Sequence, residues 1–253
     1  MEYLYLCSLA FLAGFIDAMA GGGGLIQLPA LFLFLPLDLA KNATAILGTN
    51  KFSSICGTGL AIIQYRKQIQ IPWLLVLPTS VVAFIFSFLG AKTVSFLPTA
   101  FLKPMVFVLL ALVAIYTILK PNLGLETRRK HSHEIWIGIC IGMIIGFYDG
   151  FFGPGTGSFL TLAFVGLIGL DFLSATASTK VVNFSTNLSA VIFFAVTGNI
   201  YYTYALPMAL CNMTGAFIGT RLAVYKGSRF VRLVFLFVIF FMIVRFAWDI
   251  FAT

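Results

Sequence analysis

Gly14-Phe15-Ile16-Asp17-Ala18-Met19-Ala20-Gly21-Gly22-Gly23-Gly24 returns 132 residues later as Gly146-Phe147-Tyr148-Asp149-Gly150-Phe151-Phe152-Gly153-Pro154-Gly155-Thr156. In both copies an aspartate stands four residues before a glycine cluster, inside an otherwise apolar stretch. Glycine costs a helix interior about 1 kcal/mol per residue relative to alanine, so each copy reads as an apolar helix that breaks. Farther along, Lys51/Lys180, Pro78/Pro207, Gly90/Gly219 and Lys92/Arg221 match at an offset of 129, which makes the halves homologous with one three-residue length change.

Each half is a broken stretch followed by three long apolar spans. The first half runs Tyr3–Ala20, the break Gly21–Gly24, Leu25–Pro36, then Asn42–Tyr65, Pro72–Ala91 and Phe101–Leu119. The second runs Ile135–Phe152, the break Gly153–Gly157, Ser158–Leu170, then Ser174–Thr197, Tyr201–Leu222 and Phe230–Phe251. The expected organisation is a first transmembrane repeat at 1–119, a polar cytoplasmic linker at 120–134 and a second repeat at 135–253.

The chain has 253 residues, 60% hydrophobic and only 9% charged, and its apolar blocks reach the length of about 20 residues that a membrane-spanning helix needs. It reads as an all-α membrane protein. The net charge of +8 does not point to nucleic acid, because the basic residues cluster in the connections between apolar blocks. Cys7, Cys56, Cys140 and Cys211 are singly placed in apolar segments and read as small buried hydrophobes. His131 and His133 share the most polar loop, which reads as a solvated connection rather than a metal tract, and no cofactor or metal is expected. Ala18-Met19-Ala20 looks like a signal-cleavage site, but the segment begins Met1-Glu2-Tyr3 without a basic region and recurs mid-chain, so it is expected to stay in the mature protein.

Charge placement sets the expected topology. Leu25–Pro36 as a helix is about 18 Å long, too short to cross an untilted bilayer core of about 30 Å. If the broken stretch crosses once, the loop lysines and arginines divide seven to seven between the faces. If it dips in and returns, or crosses twice, one face collects ten of them (Arg66, Lys67, Lys120, Arg128, Arg129, Lys130, Arg221, Lys226, Arg229, Arg232) and the other four (Lys41, Lys92, Lys103, Arg245). Ten against four is the asymmetry that orients membrane proteins, with the richer face cytoplasmic. Three net crossings per half then place the second copy upside down. The expected fold is two inverted-topology repeats, each a glycine-broken helical hairpin plus three transmembrane helices, with both termini outside.

Lys51 and Lys180 lie within apolar spans, where a cation is expensive and normally faces a protein interior or a wet cavity. Lys51 is nine residues after Asn42, about 13.5 Å into its span, and Lys180 six after Ser174, about 9 Å in from the opposite face. Both therefore approach one depth. Thr44, Gly48, Lys51, Ser54 and Thr58 share a helical face, as do Thr176, Lys180, Asn183 and Asn187. Ammonium, hydroxyl and amide groups together suit an oxyanion. The alternative is that the lysines pair with Asp17 and Asp149 and hold the halves together, the hydroxyls and amides gluing helices. Those aspartates are expected either to carry a proton or to accept hydrogen bonds from backbone amides at the breaks. The breaks lack the Gly-Lys-Ser/Thr ending of a nucleotide loop, but the amides freed at Gly22, Gly23, Gly155 and Thr156 are candidate anion donors.

The stretch 14–24, the following Pro29, the run Ala45-Ile46-Leu47-Gly48-Thr49-Asn50-Lys51 and the degenerate copy from Gly146 make the chain similar to the sulfite exporter TauE/SafE family over nearly its whole length. The resemblance implies a bacterial inner-membrane transporter of small sulfur-containing anions: sulfite, thiosulfate, sulfoacetate or related organosulfonates. It carries over to Asp17, Gly21–Gly24, Thr49, Asn50 and Lys51, and more loosely to Asp149, Gly153, Gly155, Thr179 and Lys180. The second copy departs at Pro154 and Thr156, where the first has glycines, so the two breaks need not act alike.

The expected substrate ligands are therefore Lys51, Lys180, Asn50, Thr49, Thr179 and Asn183 with the four break positions, and Asp17 and Asp149 serve proton coupling or structure. The expected activity is a secondary carrier working by alternating access, as an exporter. A passive anion channel and a proton-coupled uptake carrier are the alternatives. Neither a Ser/His nor a Cys/His pair recommends an enzyme. Monomer and homodimer both stay open.

Overall fold

The structure, a computed structural model, describes residues 2–94 and 133–251. The expected span Phe101–Leu119, Lys103 and the linker basic residues Lys120, Arg128, Arg129 and Lys130 lie outside the described residues. Among the described residues the chain is helical throughout: α1 (Glu2–Ala20), α2 (Gly24–Phe34), α3 (Leu37–Ala40), α4 (Ala43–Tyr65), α5 (Trp73–Val94), α6 (Glu134–Phe151), α7 (Thr156–Ala163, passing into a π-helical turn Phe164–Ile168), α8 (Phe172–Val196) and α9 (Tyr202–Phe251). The expected gap between Leu222 and Phe230 is instead a single-residue break at Gly227, whose φ of 75° interrupts α9.

Two side-chain caps fix where the central helices begin. Asn42 Oδ1 accepts from the Ala45 amide at 3.1 Å at the start of α4, and Asp171 Oδ1 accepts from the Leu173 and Ser174 amides, both at 3.0 Å, at the start of α8. The second cap moves the start of α8 two residues ahead of the expected Ser174. Both lysines then lie eight residues into their helices, a rise of about 12 Å.

Each glycine cluster turns the chain with two left-handed residues. In the first these are Gly21 (φ 76°) and Gly22 (φ 89°); in the second, Gly153 (φ 89°) and Gly155 (φ 85°). Proline cannot take positive φ. Pro154 therefore pushes the second left-handed residue one position on. Beyond each turn the chain folds back: Tyr5 stacks on Phe34 with centroids 5.0 Å apart, and Tyr148 meets Phe159 edge-on at 5.4 Å.

Close contacts give the relative directions of the long helices. α1 runs parallel to α9, with Tyr3 stacked on Tyr204 at 4.9 Å and Gly215 and Gly219 against Phe11 and Phe15. α4 is also parallel to α9, since the Tyr201 amide donates to Thr49 Oγ1 at 2.9 Å and Gly57 faces Asn212. On the other side, Gly142, Gly146 and Gly150 of α6 abut Thr79, Ala83 and Ser87 of α5. Ser185 and Ser189 of α8 donate to the Ser80 and Phe84 carbonyls of α5 at 2.8 and 2.7 Å. The two groups meet head to tail, because Gly48 of α4 packs on Phe194 of α8 and Gly59 on Phe184. So α1, α4 and α9 run one way and α5, α6 and α8 the other. Small residues at these crossings let the backbones approach closely.

The surface is greasier than the centre. Leu4, Leu33, Leu74, Ile144, Val196 and Leu210 are exposed, whereas Thr49, Asn50, Lys51, Ser87, Asp149, Lys180 and Asn187 are buried. That is the pattern of a protein whose solvent is lipid. By length and composition α1, α5, α6 and α8 are each able to cross a membrane.

Candidate functional site

The two glycine breaks touch: a side chain at Gly21 would overlap the backbone of Gly157 and Ser158. Around that meeting point the end of α1 is tied down atom by atom. The last four carbonyls of a helix have no partner within it. Here Lys180 Nζ donates to the Asp17 carbonyl, Tyr65 Oη to Ala18 at 2.7 Å, Thr176 Oγ1 to Met19 at 3.5 Å and Ser158 Oγ to Ala20 at 3.2 Å. Residues from α4, α7 and α8 thus close the terminus, and an ammonium there also meets the negative end of the helix dipole.

The lysines are paired crosswise between the halves. Lys180 Nζ on α8 lies 2.8 Å from Asp17 Oδ2 on α1, and Lys51 Nζ on α4 lies 2.8 Å from Asp149 Oδ1 on α6. The sequence left the lysine stripes without a carboxylate because both partners sit on other helices, brought over by the fold. Taken together the four groups are neutral. An arriving anion therefore meets no uncompensated positive charge until a carboxylate is displaced or protonated.

A cavity of about 30 Å³ lies at the centre, lined by Asp17, Gly22, Gly24, Asn50, Lys51, Ser54, Asp149, Gly153, Gly155, Thr156, Gly157, Asn183 and Asn187. That volume holds roughly one or two water molecules, so any larger occupant requires the helices to part. Among the described residues, Asn50 Oδ1 and Asp149 Oδ2 are buried without a hydrogen-bond partner. Among the described residues Asn187 Nδ2 donates to Asn183 Oδ1 at 3.3 Å, joining the two amides of α8.

Of the expected ligands, Lys51, Asn50, Asn183, Gly22, Gly155 and Thr156 line this cavity, together with Asp17 and Asp149. Lys180, Thr49, Thr179 and Gly23 lie behind it. Thr49 Oγ1 donates to the Ala45 carbonyl at 2.7 Å and accepts from the Tyr201 amide, which binds α4 to α9. Thr179 accepts from Thr161 at 3.2 Å, holding α7 to α8. The Gly23 amide donates to Asp17 Oδ1 at 3.2 Å. Ser54 and Asn187 join the lining from the two polar stripes. Also buried, and not singled out by the sequence reading, are Gln27 and Asn212, whose amides bond at 2.9 Å and fasten α2 to α9. Their signal in the sequence is the same as for the lysines, a polar side chain within an apolar helix.

Comparison with known proteins gives one consistent answer. The profile of the family described as Sulfite exporter TauE/SafE matches residues 6–246. A probable membrane transporter protein, ORF9, of Sinorhizobium is 37% identical over 230 residues, covering 90% of this chain and 85% of the relative. A probable membrane transporter protein of Haemophilus influenzae is 33% identical over 245 residues, 96% of this chain and 94% of the relative. The probable membrane transporter protein YfcA of Escherichia coli is 33% identical over 224 residues, 88% and 81% respectively. No solved structure matches significantly.

Proposed function

Because the chain belongs to the sulfite exporter TauE/SafE family and is a membrane transporter, we propose that it is an inner-membrane secondary carrier of small sulfur-containing anions, working by alternating access. The observation that carries this reading is the crosswise pairing of Lys51 with Asp149 and Lys180 with Asp17, at the contact between two helix breaks and around a polar cavity. Discontinuous helices at a repeat interface supply substrate sites in carriers because their ends leave backbone groups and dipoles free.

The repeats 1–119 and 135–253 are related by inverted topology in this proposal. Support comes from direction. α1, α4 and α5 of the first half run one way, the same way and the opposite way; α6, α8 and α9 of the second reverse each of these directions. Arg66 and Lys67 at the end of α4 share a face with Arg221 and Lys226 of the parallel α9, and the positive-inside rule makes that face cytoplasmic. The start of α1 is then periplasmic.

In the transport step a sulfite, thiosulfate or sulfonate group replaces Asp149 at the Lys51 ammonium, with Asn50, Asn183, Ser54 and the amides of Gly22 and Gly155 as further donors. Thr156 is not among them, since its amide and its hydroxyl both donate to the Gly153 carbonyl, at 3.2 and 2.7 Å. Lys180, Thr49, Thr179 and Gly23 act from behind by holding the breaks. An unaccompanied monoanion leaves a cell that is negative inside with a gain of about 2.3 kcal/mol per 100 mV, which makes export its default direction.

The test is uptake of labelled sulfite or sulfoacetate into proteoliposomes by wild type, Lys51→Met and Lys180→Met. Loss of saturable uptake in Lys51→Met, with folding intact, is the expected result. Wild-type rates in both variants would remove the binding assignment, and a non-saturable, exchange-free flux would make the protein a channel.

A further inference from the structure

The two ion pairs differ in how firmly they are held. Lys180 is fully buried and bonds both the carbonyl and the carboxylate of Asp17, while the other Asp17 oxygen takes the Gly23 amide. Every polar atom of that pair is used. Lys51 meets only a carboxylate oxygen of Asp149, and among the described residues it has no bond to the α6 backbone. The second oxygen of Asp149, 1% exposed as a residue, has no hydrogen-bond partner among the described residues. Lys51 and Asp149 line the cavity, and Lys180 does not.

The pairs are therefore not interchangeable despite the internal repeat. Pulling Lys180 away would break two contacts at once, to the carbonyl and to the carboxylate of Asp17, and remove one of the four side-chain donors that close the end of α1. Pulling Lys51 from Asp149 breaks one contact, but strands a carboxylate where water barely reaches. A buried charge that has lost its partner is strongly unfavourable, and the group answers by neutralising.

We propose, on the footing of the anion-carrier reading above, that Asp149 takes up one proton whenever an anion takes its place on Lys51, so that anion and proton cross together while Lys180–Asp17 stays closed as a pin. Before binding, the ammonium and carboxylate sum to zero. The anion then occupies the ammonium, and the carboxylate receives a proton from water on the open side, at the oxygen that has no partner. Ammonium plus monoanion and neutral acid again sum to zero, and release on the far side reverses both steps.

The groups around Asp149 favour this site over Asp17. From α4 it faces Lys51; from α1, Asp17 across the cavity, already paired with Lys180 of α8; on its own helix, Tyr148, whose hydroxyl is committed to the Pro154 carbonyl at 2.7 Å. α5 contributes Lys92, which is exposed, and α7 contributes no titratable side chain. With a proton travelling along, monoanion transport becomes electroneutral. An inward proton gradient then drives uptake, and export needs an anion gradient of its own.

The experiment uses the full chain in proteoliposomes with an internal pH dye and labelled methanesulfonate, an organosulfonate that carries a single negative charge. Wild type should acidify the lumen as the anion enters, at one proton per anion, and an imposed inward proton gradient should accumulate anion. In Asp149→Asn, anion-for-anion exchange should proceed with a proton-to-anion ratio near zero, whereas Asp17→Asn that folds should keep the ratio near one. Wild-type anion flux without lumenal acidification overturns the proposal while leaving the carrier reading intact, and it does so even if Asp149→Asn fails to fold. A folded Asp149→Asn that still accumulates anion on a proton gradient overturns it as well. If wild type moves none of methanesulfonate, sulfite, thiosulfate or sulfoacetate, the carrier reading itself falls and the coupling with it.

Discussion

Lys180 and Asp17, 163 residues apart in sequence, pair at 2.8 Å across the contact between α8 and α1, and the same ammonium also caps the Asp17 carbonyl. Removing one partner of a buried pair costs about 3–5 kcal/mol because the survivor is left charged and alone. Lys180→Met is expected at the lower end of that range, since the Asp17 side chain keeps 20% exposure. Thermal unfolding in detergent should show the loss, and Lys180→Met/Asp17→Asn should recover more than half of it. Equal stability of the single and double variants would show that the pair is not a unit.

Gly153 combines a φ of 89° with a Cβ direction that ends 3.0 Å from Lys51 Nζ. Gly153→Ala therefore meets left-handed strain of about 1–2 kcal/mol and also pushes Lys51 out of place. Gly198, with φ 70° and open space around it, supplies the control for strain alone. Transport should fall at least tenfold in Gly153→Ala and little in Gly198→Ala, for similar changes in unfolding temperature. Matching transport losses would mean that strain, not crowding of Lys51, is responsible.

Much of this arrangement is legible in the sequence, for identifiable reasons. The offsets of 132 and 129 expose the repeat, and the helical spacing of Ser54 and Lys51, and of Lys180, Asn183 and Asn187, marks the faces that turn inward. Asp17 and Asp149 are legible as possible partners of the lysines, but which aspartate meets which lysine is not, because a pairing across 163 residues depends on how one half is tipped against the other. Nor does a stripe reveal where a hydroxyl spends its bond: Thr49 gives its proton to the carbonyl four residues back. The misplaced start of α8 had a signal, Asp171, which corresponds to the capping Asn42 at the offset of 129 and was hidden by the apolar Phe172 and Leu173 that follow it.

Tyr65 reaches from the end of α4 to the Ala18 carbonyl at 2.7 Å, and its side chain is fully buried. Tyr65→Phe removes the donor without changing the shape, leaving a buried carbonyl unpaired at a cost of about 1–3 kcal/mol. A lower unfolding temperature with wild-type substrate affinity is expected. Lowered affinity at unchanged stability would instead assign Tyr65 a part in binding.

Thr197, just beyond α8, and Gln68, just beyond α4, are both exposed, and the antiparallel packing of these two helices puts them at opposite ends of the bundle. Thr197 lies by Asn199, whose amide oxygen is 3.5 Å from Asn42 Nδ2 at the start of α4. Gln68 adjoins the basic pair Arg66 and Lys67. With Cys7, Cys56, Cys140 and Cys211 replaced, Thr197→Cys in intact cells should react with a membrane-impermeant thiol reagent. Gln68→Cys should react only after permeabilisation, since basic connections stay on the cytoplasmic side. The reverse pattern would turn the protein over in the membrane; labelling of both from outside would mean that α4 and α8 do not each cross it.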